Sequence, residues 1–336
     1  YMIVFAVETS CDETSVAILR NRKILSHIVF NQEIHNKFGG VVPELASRSH
    51  LQILQSITPE VLKKAKIEIS DIDIFCATCG PGLIGGLLVG STFAKSLAMG
   101  LNKPFYPINH LEGHLLSPSF NNDNIFPSLS FLLTGGHTQI YILKSIGNYQ
   151  LIGETVDDAI GESFDKVAKM LGYKYPGGPK IEKIAKNGDS KAHKFPRAYL
   201  GNDSLDFSFS GLKTSVKTFI QNRKEGKNTN LSDNDIAAGF QESVVEVLSN
   251  KIIKACEKEK LTRVVVTGGV AANGALRKAV ESACSNVGYE AYFPDPVYCT
   301  DNAAMIACAG YHRYKVFPNS KANLLNLDAI SSSTLG

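Results

Sequence analysis

Short apolar and polar blocks alternate over the first twenty positions. MIVFAV is apolar, ETSCDET polar and SVAIL apolar again, which predicts strand, turn and strand over residues 2–19. Residues 129–143 repeat the layout as LSFLL, TGGHT and QIYIL. Each half then carries an apolar run that ends in glycines and passes into a helical period. In the first half this is DIFCATCGPGLIGGLLVGSTFAKSLA, in the second RVVVTGGVAANGALRKAVESA. Glycines at a strand-to-helix turn permit positive φ and close approach of a ligand, and the helix N-terminus that follows favours anions. One such turn is a weak signal. The whole pattern, occurring twice in the same order, predicts a duplicated α/β core with a cleft between the halves.

The halves are unequal. Gly80 lies 71 residues beyond Thr9, whereas Gly268 lies 134 beyond Thr134, so the second half holds an insertion of roughly 60 residues. It is placed at about 155–240, opening with the helical pattern DDAIGESFDKVAKMLG and passing through the turn-rich YPGGP. The Pro- and Asn-rich residues 117–127 read as the connection between lobes. The expected division is residues 1–125 with 303–325 as the first lobe, 126–302 as the second, and 326–336 as a loose tail. The last helix, DNAAMIACAGYHRY, follows Asp301, which reads as its cap.

Composition narrows the class. At 336 residues, 44% hydrophobic and 20% charged, the chain suits a globular protein with well-buried cores. It has no run of 18 apolar residues, so no membrane span is expected. YMIVFAVETS lacks a basic n-region and runs into a strand, so no signal peptide is expected. Seven cysteines, an odd number, favour a reducing compartment. Cys76 and Cys79 form a C-x-x-C without a second pair or a neighbouring histidine, and are read as structural. Net charge is only +3, but residues 174–227 hold 12 Lys/Arg against 5 Asp/Glu, a local +7. That stretch suits a phosphate backbone, and a solvated lysine-rich surface has the same composition.

Candidate chemistry centres on His110-Leu111-Glu112-Gly113-His114. Two histidines four apart share one helix face, so both imidazoles can hold one metal ion. Zinc peptidases of the H-E-x-x-H type place the glutamate beside the first histidine. Here Glu112 comes two residues after His110, roughly 200° round the helix. It cannot serve as base for a metal held by both histidines, which disfavours a metallo-endopeptidase. The site needs a third ligand from elsewhere.

ETSCDET, GGVVPELASRSH, GPGLIGGLLVG, the histidine pair, LLTGGHTQ, DDAIGESFDKVAK, YPGGP, DFSFSGLK, GGVAANGALR and CTDNAAMIA together resemble the TsaD/Kae1/Qri7 family, and GGHTQ and DFSFSGLK resemble its bacterial and organellar branch. The resemblance implies the duplicated actin/Hsp70/sugar-kinase-like (ASKHA) fold, two lobes around a nucleotide-binding cleft. It implies transfer of a threonylcarbamoyl group from threonylcarbamoyl-adenylate to N6 of adenosine 37 in ANN-decoding tRNAs, with release of AMP. A small-molecule kinase of the same superfamily is the alternative outside the peptidases, and it would need no His–His–Asp metal site. One departure is that this chain has no Trp, whereas family members usually end in a basic, tryptophan-containing tail.

The resemblance also assigns residues. Asp301 joins His110 and His114 around one divalent ion, Fe(II) favoured and Zn(II) the alternative. A 2-His-1-carboxylate set leaves open positions that suit either metal. With Asp301 in the second lobe, that ion would tie both lobes across the cleft. The nucleotide set is Leu132, Leu133, Thr134, Gly135, Gly136, Asp165, Gly178, Glu182 and Asn273. Backbone N–H groups of Thr134, Gly135 and Gly136 are expected to hold phosphate or carbamoyl oxygens. Asp165 and Glu182 are expected to accept from ribose hydroxyls, Gly178 to permit close ribose approach, and Asn273 to contact adenine or ribose. Asp12 and Glu13 occupy the first hairpin turn. Neighbours in an extended chain point to opposite sides, so at most one faces the reacting centre, as general base for the adenine amine. Implied partners are tRNA, a separate synthase that supplies the adenylate, a catalytically reduced paralogue as heterodimer partner and a small P-loop ATPase. No membrane is expected. The compartment is the cytoplasm, or the mitochondrial matrix for an organellar member.

Overall fold

The structure is a computed structural model that describes residues 1–336 except 39, 123–124, 202, 228–230, 319–327, 333–334 and 336. The chain forms two compact units, one of Tyr1–Asn124, Ile146–Asn148 and Thr300–Gly336, the other of Ile125–Ser145 and Tyr149–Cys299. The first lobe therefore takes back the chain from Thr300, not from 303, and Asp301 belongs to the same unit as His110 and His114. An ion on those three residues would be held within one unit rather than tying two together.

The first unit opens with an antiparallel meander of β1 (Ile3–Glu8), β2 (Glu13–Arg20) and β3 (Lys23–Asn31). Helix α1 (Pro43–Ala65) crosses to β4 (Ile74–Gly80), and α2 (Ile84–Gly100) to β5 (Phe105–Asn109), which runs into α3 (His110–Leu116). The second unit repeats the plan. Its meander is β6 (Ser128–Leu133), β7 (Thr138–Ser145) and β8 (Asn148–Glu154). The crossover that follows carries α4 (Ile160–Met170), α5 (Gly178–Ala185), α6 (Ser210–Lys224) and α7 (Asp233–Glu259). Then come β9 (Arg263–Thr267), α8 (Gly274–Asn286) and β10 (Glu290–Tyr292). Finally α9 (Ala303–Val316) packs on β1, β2, β4 and β5 of the first unit. That packing is why the closing segment joins the first unit.

The sheets run β3-β2-β1-β4-β5 and β8-β7-β6-β9-β10, matching position for position. In each, the first strand pairs antiparallel with the second and parallel with the fourth. The insertion lies in the β8–β9 crossover, where, among the described residues, α4 to α7 stand in the place of α1. Ile330 and Ser331 are not loose. Ile330 N–H donates to the Cys79 carbonyl (2.8 Å), and Gly82 N–H to the Ser331 carbonyl (3.1 Å). Most of the rest of the expected loose tail lies outside the described residues.

Strand parity decides what each face carries. Phe5 and Val7 of β1, with Phe75, Ala77 and Cys79 of β4, share a core with Leu54, Ile57 and Val61 of α1 and Ala94 and Ala98 of α2. Successive side chains point to opposite faces, so Glu8 of β1 and Cys76 and Thr78 of β4 belong to the other face, where Cys76 meets Gly310 of α9. Cys76 and Cys79 therefore face opposite ways. Burial pushes both thiols up, Cys79 to about 12, and neither is a metal or redox partner of the other. Among the described residues no helix is long and apolar enough to cross a membrane.

A candidate metal centre and a candidate nucleotide site

Parallel strands β1, β4 and β5 deliver one group of polar residues at their carboxyl ends, where open α/β sheets bind ligands. β5 ends at Asn109, whose side-chain oxygen accepts from Leu111 N–H (2.8 Å) and Glu112 N–H (3.4 Å) and so caps α3. The helix starts at His110, so the His110 and His114 rings lie one turn apart, 4.8 Å between centres and nearly perpendicular at 89°. Asp301 Oδ1 stands 3.1 Å from His114 Nε2 and 3.4 Å from His110 Nε2. Two donors about 2.1 Å from one ion at a tetrahedral angle stand about 3.4 Å apart. The trio, whose ligand atoms all lie within 4.8 Å of one another, therefore fits a single ion.

Asp301 does not cap α9. Asn302 takes that place, accepting from Met305 N–H at 3.0 Å, which leaves the Asp301 carboxylate to the histidines. Glu112 is buried and turned away, held by the Arg313 Nε–H through both carboxylate oxygens at 2.9 and 3.0 Å. A glutamate committed to an arginine is no general base, and the peptidase reading loses its catalyst.

The charges are interlocked. Burial disfavours an imidazolium at His110, yet the Asp301 and Glu8 carboxylates outweigh it and raise the His110 pKa well above the usual value. At His114 burial prevails and lowers it. Burial would raise Asp301, but the two histidines hold it well below the usual carboxylate range. Glu13 moves the other way, raised by burial, then by Asp301 and Asp12. Burial, with Asp12 beside it, also raises the Cys11 thiol, which removes its nucleophilic form.

Two residues without an assigned role in the sequence shape this centre. Glu8, at the end of β1, accepts from Ser10 N–H (2.6 Å) and from the Thr78 hydroxyl, and lies 3.2 Å from His110 Nδ1. A charge closing an otherwise apolar strand was the available signal. His50 of α1 is fully buried, with Nε2 3.0 Å from the Cys11 carbonyl and Nδ1 2.8 Å from Thr14 Oγ1 and 3.1 Å from Gln32 Nε2. The Gln32 amide can only donate there, so Nδ1 accepts and Nε2 donates to Cys11. A neutral His50, its pKa lowered by burial, thus pins the turn that carries Asp12 and Glu13.

The second unit presents its glycine turns at the carboxyl ends of parallel strands β6 and β9. Leu132 and Leu133 are fully buried and offer a ligand only their backbone. Thr134 N–H donates to the His137 carbonyl (2.8 Å) and Thr134 Oγ1 accepts from His137 N–H (2.9 Å). The expected Thr134 N–H donor is therefore spent on its own turn, and the exposed Gly135 and Gly136 remain. Gly161 N–H bonds the Thr134 carbonyl (3.2 Å), and a Cβ there would come within 2.7 Å of that oxygen. Gly268, at φ +93°, lies against the Leu133 carbonyl, where only glycine fits without strain.

From that turn a chain of contacts follows α4. Asp165 Oδ1 accepts from Gly177 N–H (2.6 Å) and holds the start of α5 at Gly178. Burial raises the Asp165 carboxyl, opposed by the N–H groups of Gly177 and Gly178. Glu182 Oε1 accepts from Gly274 N–H at 3.1 Å. Asn273 caps α8 by accepting from Ala275 and Leu276 N–H, both at 3.0 Å, and donates to Gln241 Oε1 (2.8 Å). Its oxygen is committed to the helix and one amide hydrogen to Gln241, which leaves a ligand only the second amide hydrogen. In the basic stretch, Lys191 and Lys194 are exposed, whereas Arg197 is paired with Glu246 at 2.7 Å, Lys213 with Asp158, and Arg223 with Asp233.

Residues 23–308 match the family described as TsaD, tRNA N6-adenosine threonylcarbamoyltransferase. A Clostridium botulinum protein of that name is 45% identical over 336 residues, 99% of this chain and 98% of its own. One from Clostridioides difficile is 46% identical over 98% of this chain and 97% of its own. One from Thermodesulfovibrio yellowstonii is 48% identical over 96% of this chain and 99% of its own. Among solved structures, full-length HypF in its phosphate- and nucleotide-bound form superposes with a TM-score of 0.62 at 12% identity, over 95% of this chain and 47% of that one. Component A of Acidaminococcus fermentans (R)-2-hydroxyglutaryl-CoA dehydratase gives 0.53 at 17% identity, over 94% of this chain and 100% of that one. These two likenesses show the fold, which is ASKHA-like. With a family match over most of its length and relatives 45% identical from end to end, the chain belongs to the TsaD family of tRNA N6-adenosine threonylcarbamoyltransferases.

Proposed function

We propose that this protein transfers the threonylcarbamoyl group of threonylcarbamoyl-adenylate to N6 of adenosine 37 in ANN-decoding tRNA. The N6 amine attacks the carbamoyl carbon, the bond to the phosphate oxygen breaks, AMP departs and the amine proton passes to a base. The observation that carries the reading is a buried histidine pair and an aspartate spaced for one ion in a chain whose full-length relatives bear this name.

His110, His114 and Asp301 hold a divalent ion, Fe(II) by preference and Zn(II) as the alternative, since this set suits both. Such an ion supplies Lewis-acid polarisation and a fixed positive charge. Gly135 and Gly136 N–H groups meet phosphate or carbamoyl oxygens. Asp165 and Glu182 accept from ribose hydroxyls with the carboxylate oxygens their backbone contacts leave over, Gly178 admits the ribose, and an Asn273 N–H meets the adenosine. Either Asp12 or Glu13 takes the amine proton. A synthase supplies the adenylate, and a reduced paralogue and a small P-loop ATPase assist, in the cytoplasm.

The test is nucleoside mass spectrometry of unmodified tRNA incubated with the protein, these partners, threonine, bicarbonate and ATP. N6-threonylcarbamoyladenosine formed with an equal amount of AMP from the adenylate supports the reading. Adenylate that accumulates without transfer overturns it.

A further inference from the structure

We propose that Glu8 is the positioning residue of the metal centre, accepting the Nδ1–H of His110 and thereby turning that ring's Nε2 toward the ion. The inference rests on reading His110, His114 and Asp301 as the ligand set. Glu8 is fully buried, and strand parity places it with Thr78 on the face of the first sheet that lies toward α9. Its two oxygens are anchored separately. Oε1 takes the Ser10 N–H at 2.6 Å, and Oε2 takes the Thr78 hydroxyl and lies 3.2 Å from His110 Nδ1. A carboxylate fixed from both sides is a rigid acceptor aimed at one ring nitrogen. Ser10 Oγ is also 3.2 Å from Nδ1, but a hydroxyl both donates and accepts, so it cannot choose the tautomer. Glu8 already acts as acceptor to the Ser10 N–H and the Thr78 hydroxyl, so Nδ1 carries the hydrogen of the third contact, and Nε2, the nitrogen that faces Asp301 at 3.4 Å, is the one left for a metal ion. A ligand histidine backed by a carboxylate is oriented and made more basic. Glu112, on the same helix as the two histidines, is committed to Arg313 and does not fill this role.

The experiment compares wild type, Glu8→Gln and Thr78→Val as full-length metal-free proteins. Each is titrated with Co(II) read by its visible spectrum and with Zn(II) against a chromophoric chelator. Glu8→Gln should bind either metal about 10- to 100-fold more weakly, with unchanged far-UV circular dichroism. Thr78→Val keeps the carboxylate but removes one anchor, and should lose a few-fold. In the Zn(II)-loaded protein the His110 Nδ1–H proton should resonate downfield, protected from exchange, and move upfield in Glu8→Gln. A purely structural Glu8 would lower the melting temperature of the metal-free protein without shifting either readout, and that result overturns the proposal. Should Glu8→Gln fail to fold, unchanged affinity and an unchanged resonance in Thr78→Val overturn it instead. Equal affinity in wild type and Glu8→Gln defeats the Glu8 assignment alone, whereas a wild type that takes up no metal defeats the ligand set with it.

Discussion

Asp301 and Asn302 have interchangeable capping chemistry, and the fold gives them different tasks. Asn302 caps α9, so Asp301 can turn its oxygen to two histidines. The sequence could not separate them, because the partner that decides, His114, lies 187 residues away. Thr134 differs, since its partner is local: its N–H looks available in a glycine turn until the turn closes on the carbonyl of His137, three residues on. Asp165 carries a prediction at this scale. Asp165→Ala should weaken a non-hydrolysable adenylate analogue by about 1–3 kcal/mol, the range for an unpaired buried hydrogen bond. Calorimetry checks this. Unchanged affinity with a lowered melting temperature would reduce Asp165 to the backbone clasp it forms with Gly177.

At the scale of elements, a local cap leaves a trace in the sequence, as at Ser232, whose side chain accepts from Asp235 N–H at the start of α7, and an imported one leaves none. Helix α6 has no side-chain cap of its own. Asp157, about fifty residues upstream, accepts from Phe209 and Ser210 N–H at 2.8 and 3.3 Å and from the Ser208 and Ser210 hydroxyls. Although burial opposes it, these donors lower the Asp157 carboxyl pKa, the hydroxyls most. Asp157→Ala should cost about 1 kcal/mol, as for loss of an N-cap. A depressed folded pKa stabilises above the unfolded value and loses that stabilisation as pH falls through the folded one. The gap between wild type and variant in urea unfolding should therefore be full at neutral pH and close below about pH 4. A gap independent of pH would mean that the charge is not what caps the helix. The third strand of each meander, β3 and β8, escaped the sequence pattern for a related reason. Both are edge strands whose residues are mostly exposed or half-buried, so neither shows the fully buried apolar run that marks β1, β4, β6 and β9.

At the scale of the whole molecule, the duplication was readable because each sheet's inner strands are buried on both faces and leave continuous apolar runs. The size of the insertion followed from spacing alone. Part of its charge is spent inside the protein, where Arg197, Lys213 and Arg223 are paired. Lys191 and Lys194 remain exposed. Reversing both to Glu should weaken tRNA binding uniformly across ANN-decoding tRNAs and flatten the dependence of log affinity on log salt by about 1–2 units, leaving adenylate binding alone. Filter binding over a salt series measures it, and an unaltered slope would exclude this surface from phosphate contact. The central claim is that the ion held by His110, His114 and Asp301 supports the transfer. The most direct measurement adds metal back to chelated protein while N6-threonylcarbamoyladenosine is counted by mass spectrometry. The rate should rise from near zero to a plateau at one equivalent per chain in wild type. It should stay near zero in folded His110→Ala, His114→Ala and Asp301→Ala proteins, which should also bind no metal by elemental analysis. Full transfer by chelated wild type, or full metal occupancy in Asp301→Ala, would contradict the account.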